Sequence, residues 1–170
     1  ADGSDFAVVR SAGGSGEAGF RVEFPVGRVL APTARVSRVR LSADGSHLAI
    51  AEHPIMDDDR GLVTILDRTG KRVAATEEWA SLDGIAWAPD GREVWLTASA
   101  VGADNAVHAL SLDGRVRPVL AGMGRLVLHD VAPDGRALLE RATLRSEVLY
   151  RRAGESEDKD LSWLDFSAVE

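Results

Sequence analysis

An Asp-Gly pair returns along this chain at a nearly fixed interval. The stretches "ADG" (1–3), "SADG" (42–45), "APDG" (88–91) and "APDG" (132–135) place Asp2, Asp44, Asp90 and Asp134 at spacings of 42, 46 and 44 residues. Four positions after each Asp stands an apolar residue: Phe6, Leu48, Val94 and Leu138. Three positions before it stand Leu41, Trp87 and Val131. A second series keeps step, with Gly27, Gly70, Gly114 and Gly154 spaced 43, 44 and 40 apart. Two series locked together mark a tandem structural unit. Asp83-Gly84 falls out of register with both and reads as an ordinary loop.

Each unit reads as β. "RVSRVRLS" alternates apolar and polar residues, the period of a strand with one buried face. "SHLAIAE", "LVTILD" and "EVWLTAS" are short, rich in apolar and β-branched side chains, and bounded by turn residues. Asp44-Gly45, Asp90-Gly91 and Asp134-Gly135 combine a side chain that bonds back to the backbone with a residue tolerant of positive φ, as a tight turn requires. The unit is therefore strand A, Asp-Gly turn, strand B, loop, strand C, Gly turn, strand D. Four strands in 40 to 46 residues is the period of a β-propeller blade. A β-sandwich with coincidental turns competes, but gives no reason for two series to keep step. The expected fold is all-β, a partial propeller over 1–170 with about four four-stranded blades near 1–35, 36–80, 81–125 and 126–164. Residues 165–170 would start or complete another blade.

The residues resemble a known family. Ile85-Ala86-Trp87-Ala88-Pro89-Asp90-Gly91 is similar to the strand and Pro-Asp-Gly turn of the TolB-like (WD-type) propeller repeat. With His53-Pro54, Asp58-Asp59-Arg60-Gly61 and Asp160-Leu161-Ser162-Trp163-Leu164-Asp165, the chain resembles the propeller found C-terminal to the kinase domain in some bacterial serine/threonine protein kinases. Similar propellers are fused to winged-helix regulators. The resemblance implies a part of a larger propeller in a signalling protein. Ala43 departs from the usual Pro of the turn. The chain carries no Gly-rich loop leading to a strand Lys and no His-Arg-Asp, and "DFS" (165–167) lacks the Gly of a metal-binding Asp-Phe-Gly, so a parent kinase domain would lie elsewhere. The chain opens on a turn without its preceding strand and closes on a strand without its turn. Beyond a portion of a larger ring, two other readings follow: a last strand completing the first blade, or two copies covering open blade faces. Association of the isolated piece is expected from unpaired edges.

The chemical motifs are sparse. "HPIMDDDRG" (53–61) sets an imidazole beside three carboxylates, but calcium loops alternate ligands with spacers and place Gly sixth. Adjacent Asp57, Asp58 and Asp59 diverge on an extended backbone, so no metal is assigned. "GSGEAG" (14–19) matches a dinucleotide pattern, yet precedes a strand rather than a helix. No G-x-S-x-G elbow occurs, and no cofactor is expected. His129 beside Asp130 reads as a buried pair bracing a blade. Trp87 and Trp95 take positions held by aliphatic residues in sister units and read as interblade packing. Trp79, between strand D and the next strand A, is the better surface candidate. With 27 acidic against 20 basic residues, the net charge of −7 opposes nucleic-acid and anionic-membrane binding. No cysteine is present, which leaves the compartment open.

Antiparallel connectivity puts the A–B and C–D turns at one end of the blades and the B–C and D–A loops at the other. The long segments "SAGGSGEAG", "HPIMDDDRG" and "ASAVGADNA" are all B–C loops, which marks that end as the partner face. The candidate contact residues are His53, Asp57, Asp58, Asp59, Arg60 and Trp79. The expected role is non-catalytic binding of a protein or small-molecule ligand. Some propellers hydrolyse sugars or esters, which here would need acids of two blades at about 5–9.5 Å. The acids of the 57–59 run come from one loop. Purely structural assembly through blade edges is the third reading.

Overall fold

Short alternating segments punctuated by Gly turns form antiparallel strands throughout. The structure, a computed structural model, describes residues 6–11, 19–33, 35–55, 57–102, 105–121, 124–142 and 147–162. Among them no helix is long and apolar enough to cross a membrane. The first sheet holds β1 (Val8–Ser11), β2 (Phe20–Glu23) and β3 (Val29–Thr33). The second holds β4 (Arg35–Leu41), β5 (His47–His53), β6 (Leu62–Asp67) and β7 (Arg72–Ala75), and the third β8 (Ser81–Trp87), β9 (Glu93–Ser99), β10 (Ala106–Ser111) and β11 (Val116–Leu120). Each is a meander in chain order, with every neighbouring pair antiparallel. The first strands of successive sheets meet: β4 lies against β8, and β8 against β12 (Arg125–Val131).

The central strands β5 and β6 are buried on both faces because a sheet lies on each side. Along β5, Leu48 and Ile50 pack with Val22 and Leu66 between the first two sheets. The intervening Ala49 and Ala51 pack with Val63, Ile65, Ile85 and Leu96 between the second and third. Each buried Leu or Ile contributes roughly 2 kcal/mol. Small Ala on one face and large Leu or Ile on the other set the sheet spacing. Trp87 belongs to the second cluster, as expected of interblade packing, and its Nε1 donates to the Arg40 carbonyl of the neighbouring sheet at 3.0 Å. Trp95, at the intervening register position on β9, lies on the opposite face from Val94 and Leu96, and its buried Nε1 has no partner.

The turns follow the repeat. Ser42 N donates to the His47 carbonyl and Ala88 N to the Glu93 carbonyl, both at 2.9 Å, so Ala43 and Pro89 serve the same turn. Asp44 Oδ1 accepts from Ser42 Oγ at 2.6 Å and Ser46 N at 3.0 Å, and these bonds hold its carboxyl well below the usual range. Gly45 and Gly91 take φ of 70° and 68°, the left-handed region in which glycine carries no Cβ clash.

Four expectations need correction. Among the described residues the fourth unit is not one four-stranded sheet: β12 pairs only with β13 (Ala137–Ala142), and β14 (Leu149–Tyr150) with β15 (Lys159–Asp160) forms a separate pair. Its Asp134-Gly135 turn closes one residue sooner, with Ala132 N donating to the Arg136 carbonyl at 2.8 Å. Val131 therefore faces Ala137 rather than Leu138. Leu138 is 63% exposed, where its counterparts Leu48 and Val94 are 1% and 0% exposed. A one-residue slip turns every side chain of a strand to the other face. β12 carries its own bulge, at His129 and so two positions later in the repeat than those at Ser37 and Asp83, and Leu126 and Leu128 stay buried.

That bulge also separates His129 from Asp130. His129 Nε2 meets Glu140 at 2.9 Å in an exposed pair, while Asp130 Oδ1 accepts the backbone N–H of Val131. Asp83-Gly84 is not a loop but lies inside β8, with Asp83 as the extra residue of a bulge. Gly84 lets the β12 backbone approach: a Cβ there would stand 2.1 Å from the Leu128 carbonyl oxygen. Thr97 Oγ1 closes the same contact, accepting from Gly84 N at 3.0 Å and Leu128 N at 3.2 Å. Trp79, finally, turns inward. Its backbone bridges Gly61, its ring packs on the interblade cluster and lies 4.5 Å from the His108 ring. The strand read after "GSGEAG" is β2, while residues 14–18, Trp163 and 165–170 lie outside the described residues.

Candidate functional site: a mixed-charge cleft at the loop end

The 54–61 segment joins β5 to β6 and is held by its own side chains. Asp58 Oδ1 accepts Arg60 N at 2.8 Å, and Asp58 Oδ2 accepts Arg60 Nη2 at 2.6 Å and Nε at 3.0 Å. These bonds, the guanidinium first, lower the Asp58 carboxyl to about 2. Asp57 adopts φ of 58°, a left-handed conformation that a short polar side chain tolerates. The turn sends Asp57 and Asp59 outward, with side chains 88% and 61% exposed. His53 is buried beneath them. Its Nδ1–H donates to the Arg60 carbonyl at 2.9 Å, and Nε2 accepts from Ser37 Oγ at 2.8 Å. Gly61 permits the close passage, since a Cβ there would stand 2.7 Å from the Glu52 carbonyl oxygen.

This loop forms one wall of a cleft of about 390 Å³. Arg35, Ser37 and Arg38 of β4 form the facing wall, and Leu82 and Asp83 of β8 close it. Two β-bulges shape the floor. Ser37 and Asp83 are each the extra residue of a bulge in the first strand of their sheet, and each lies seven positions before its turn Asp. A bulge re-aims one side chain without ending the pairing. Ser37 thereby meets His53, while Asp83 accepts from Arg125 Nη2 at 2.7 Å and Nε at 3.1 Å, and from Asn105 Nδ2. The buried Asn105 Oδ1 and Ser81 Oγ beside this network have no partner.

Of the residues expected at the partner face, His53 and the 57–59 acids line the cleft and Arg60 braces its wall. Trp79 does not line it. The turn residues Asp44, Asp90 and Asp134 lie at the opposite end of the strands, as the alternation requires. Sequence reasoning missed Ser37, Arg38, Asp83 and Arg125. A bulge leaves no composition signal, although Ser37 and Asp83 share a repeat position. Among the described residues no group of three His, Cys, Asp or Glu is arranged to hold a metal.

No protein-family model and no curated protein matches the chain. Solved structures do resemble it. TolB from Acinetobacter baumannii superposes with a TM-score of 0.55 at 15% identity, over 85% of this chain and 37% of that one. A prolyl endopeptidase gives a TM-score of 0.55 at 16% identity, over 84% of this chain and 26% of the other. The chain thus spans little more than a third of their lengths at most. With the successive antiparallel sheets, these likenesses define the fold as a β-propeller.

Proposed function

We propose that the chain is a non-catalytic binding module, part of a propeller that engages a protein or small ligand through the cleft at its B–C loop end. The supporting observation is the pair of bulges. Two sheets each add one residue at the same repeat position, and both additions shape the same cleft. Bulges recur beside functional sites for this reason. The finer reading is the regulatory region of a bacterial signalling protein such as a serine/threonine kinase. It rests on the resemblance of His53-Pro54, Asp58 to Gly61 and Ile85 to Gly91, and the reading frame around the coding sequence tests it.

A binding screen on arrayed peptides and metabolites tests the role. Three proteins are compared: the natural chain, Asp57→Ala with Asp59→Ala, and Arg92→Ala with Arg115→Ala at the opposite end. Signals should fall only in the first double variant. Loss only in the second would overturn the reading.

One observation favours a hydrolase as the second reading. Asp59 and Asp83, from different sheets, lie 4.0 and 2.7 Å from the same Arg125 Nη2, and so at most about 6.7 Å apart. That bound overlaps the separations of paired acids. Arg125 stands beside both, however, and engages Asp83 through two N–H groups. Turnover in a glycoside and ester panel, abolished by Asp59→Asn, would replace binding by catalysis.

A further inference from the structure

The cleft sorts its charges by wall. Two ion pairs within it are closed: Asp58 with Arg60 at 2.6 Å, and Asp83 with Arg125 at 2.7 Å. The remaining charges are not. Arg38 offers five N–H donors, yet among the described residues its side chain bonds only the Ser37 carbonyl, through Nη1 at 3.2 Å, and no carboxylate pairs with it. Arg35 reaches Asp57 only at 3.4 Å, and Asp59 meets a guanidinium only at 4.0 Å. Two under-used guanidinium groups therefore stand on the β4 wall, and two under-used carboxylates on the loop wall.

The geometry points to a zwitterionic ligand of the short-peptide class, with its carboxylate on Arg38 and Arg35 and its ammonium on Asp57 and Asp59. This rests on the reading of the cleft as the binding face. A guanidinium fork matches a carboxylate through two parallel bonds. An exposed Asp pair suits an ammonium, which donates in three directions. A ligand carrying only one sign meets its partner on one wall and repulsion on the other, so selection comes from the pair of charges. A volume of about 390 Å³ is at the small-ligand end of binding sites. Among the described residues no Phe, Tyr or Trp lines the cleft and the His53 ring is buried, so a stacked sugar or base finds no platform.

Trialanine with free termini is the probe, compared with its N-acetylated and C-amidated forms at low ionic strength, where exposed charges are least screened. Backbone amide shifts report the site. The expected result is saturable shifts near Asp59 and Leu82 for free trialanine, with binding at least tenfold weaker for both blocked forms. Arg38→Gln should erase the difference between free and amidated peptide. Asp57→Asn with Asp59→Asn should erase that between free and acetylated peptide. Equal binding of all three forms, or no saturable shift for free trialanine, would overturn the proposal. If trialanine fails while arrayed ligands still require Asp57 and Asp59, the ligand class is wrong and the binding face stands. If nothing depends on either wall, both readings fall.

Discussion

Asp58 is the middle of three adjacent acids and alone among them is committed to structure. Its side chain bonds the backbone and guanidinium of Arg60, which leaves Asp57 and Asp59 to face outward. The carboxyl is lowered to about 2, below its ordinary 3.8. A depressed folded-state value means that this brace stabilises the loop fully above the unfolded value and is lost as pH falls from about 4 toward 2. An NMR titration should place the Asp58 midpoint near 2, and Arg60→Ala should return it toward the ordinary range. A midpoint near 4 in the natural chain would contradict the brace. The three acids were legible as part of a B–C loop from the repeat. Their division into one brace and two exposed charges was not, because it depends on the left-handed turn at Asp57.

The contact between β8 and β12 shows what an element contributes. Gly84 is required by proximity and Gly91 by conformation, and the two are separable. A Cβ at 84 meets backbone of another sheet, whereas at 91 it meets nothing within 4 Å and only the positive φ opposes it. Gly91→Ala should cost about 1–2 kcal/mol. Gly84→Ala cannot relax by moving a side chain and should cost about 3 kcal/mol or more, the upper range of overpacking. Urea unfolding of both variants checks the order, and a larger loss at 91 would refute it. Asp83-Gly84 looked like a stray turn in sequence because Asp-Gly signals a turn wherever backbone contacts are unknown.

At the scale of the molecule, the second and third sheets are enclosed and the fourth unit is not. Leu138, Leu149, Tyr150 and Leu161 are exposed, and β13 has no strand on its second edge among the described residues. Apolar surface beside an open edge favours pairing with another chain. Sedimentation velocity should show the apparent mass rising with concentration, and Leu138→Glu with Tyr150→Ser should weaken that rise. A monomer at every concentration, or an unchanged rise in the variant, would count against this edge.

The sequence by itself determined the repeat, most of the strands, the turns at Asp44-Gly45, Asp90-Gly91 and Asp134-Gly135, and the end of the blades that carries the 53–61 loop. These follow from local chemistry: alternation every second residue, glycine at positive φ, and the parity of antiparallel connections. Only the tertiary structure decided that Ser37 and Asp83 bulge into one cleft, that Arg125 reaches across to Asp83, that Trp79 folds inward, and that the fourth turn slips by a residue. Each of these depends on backbone or side chains of a different sheet. A local pattern specifies the direction of a strand's faces, but not how far one strand slides along another or what stands opposite it.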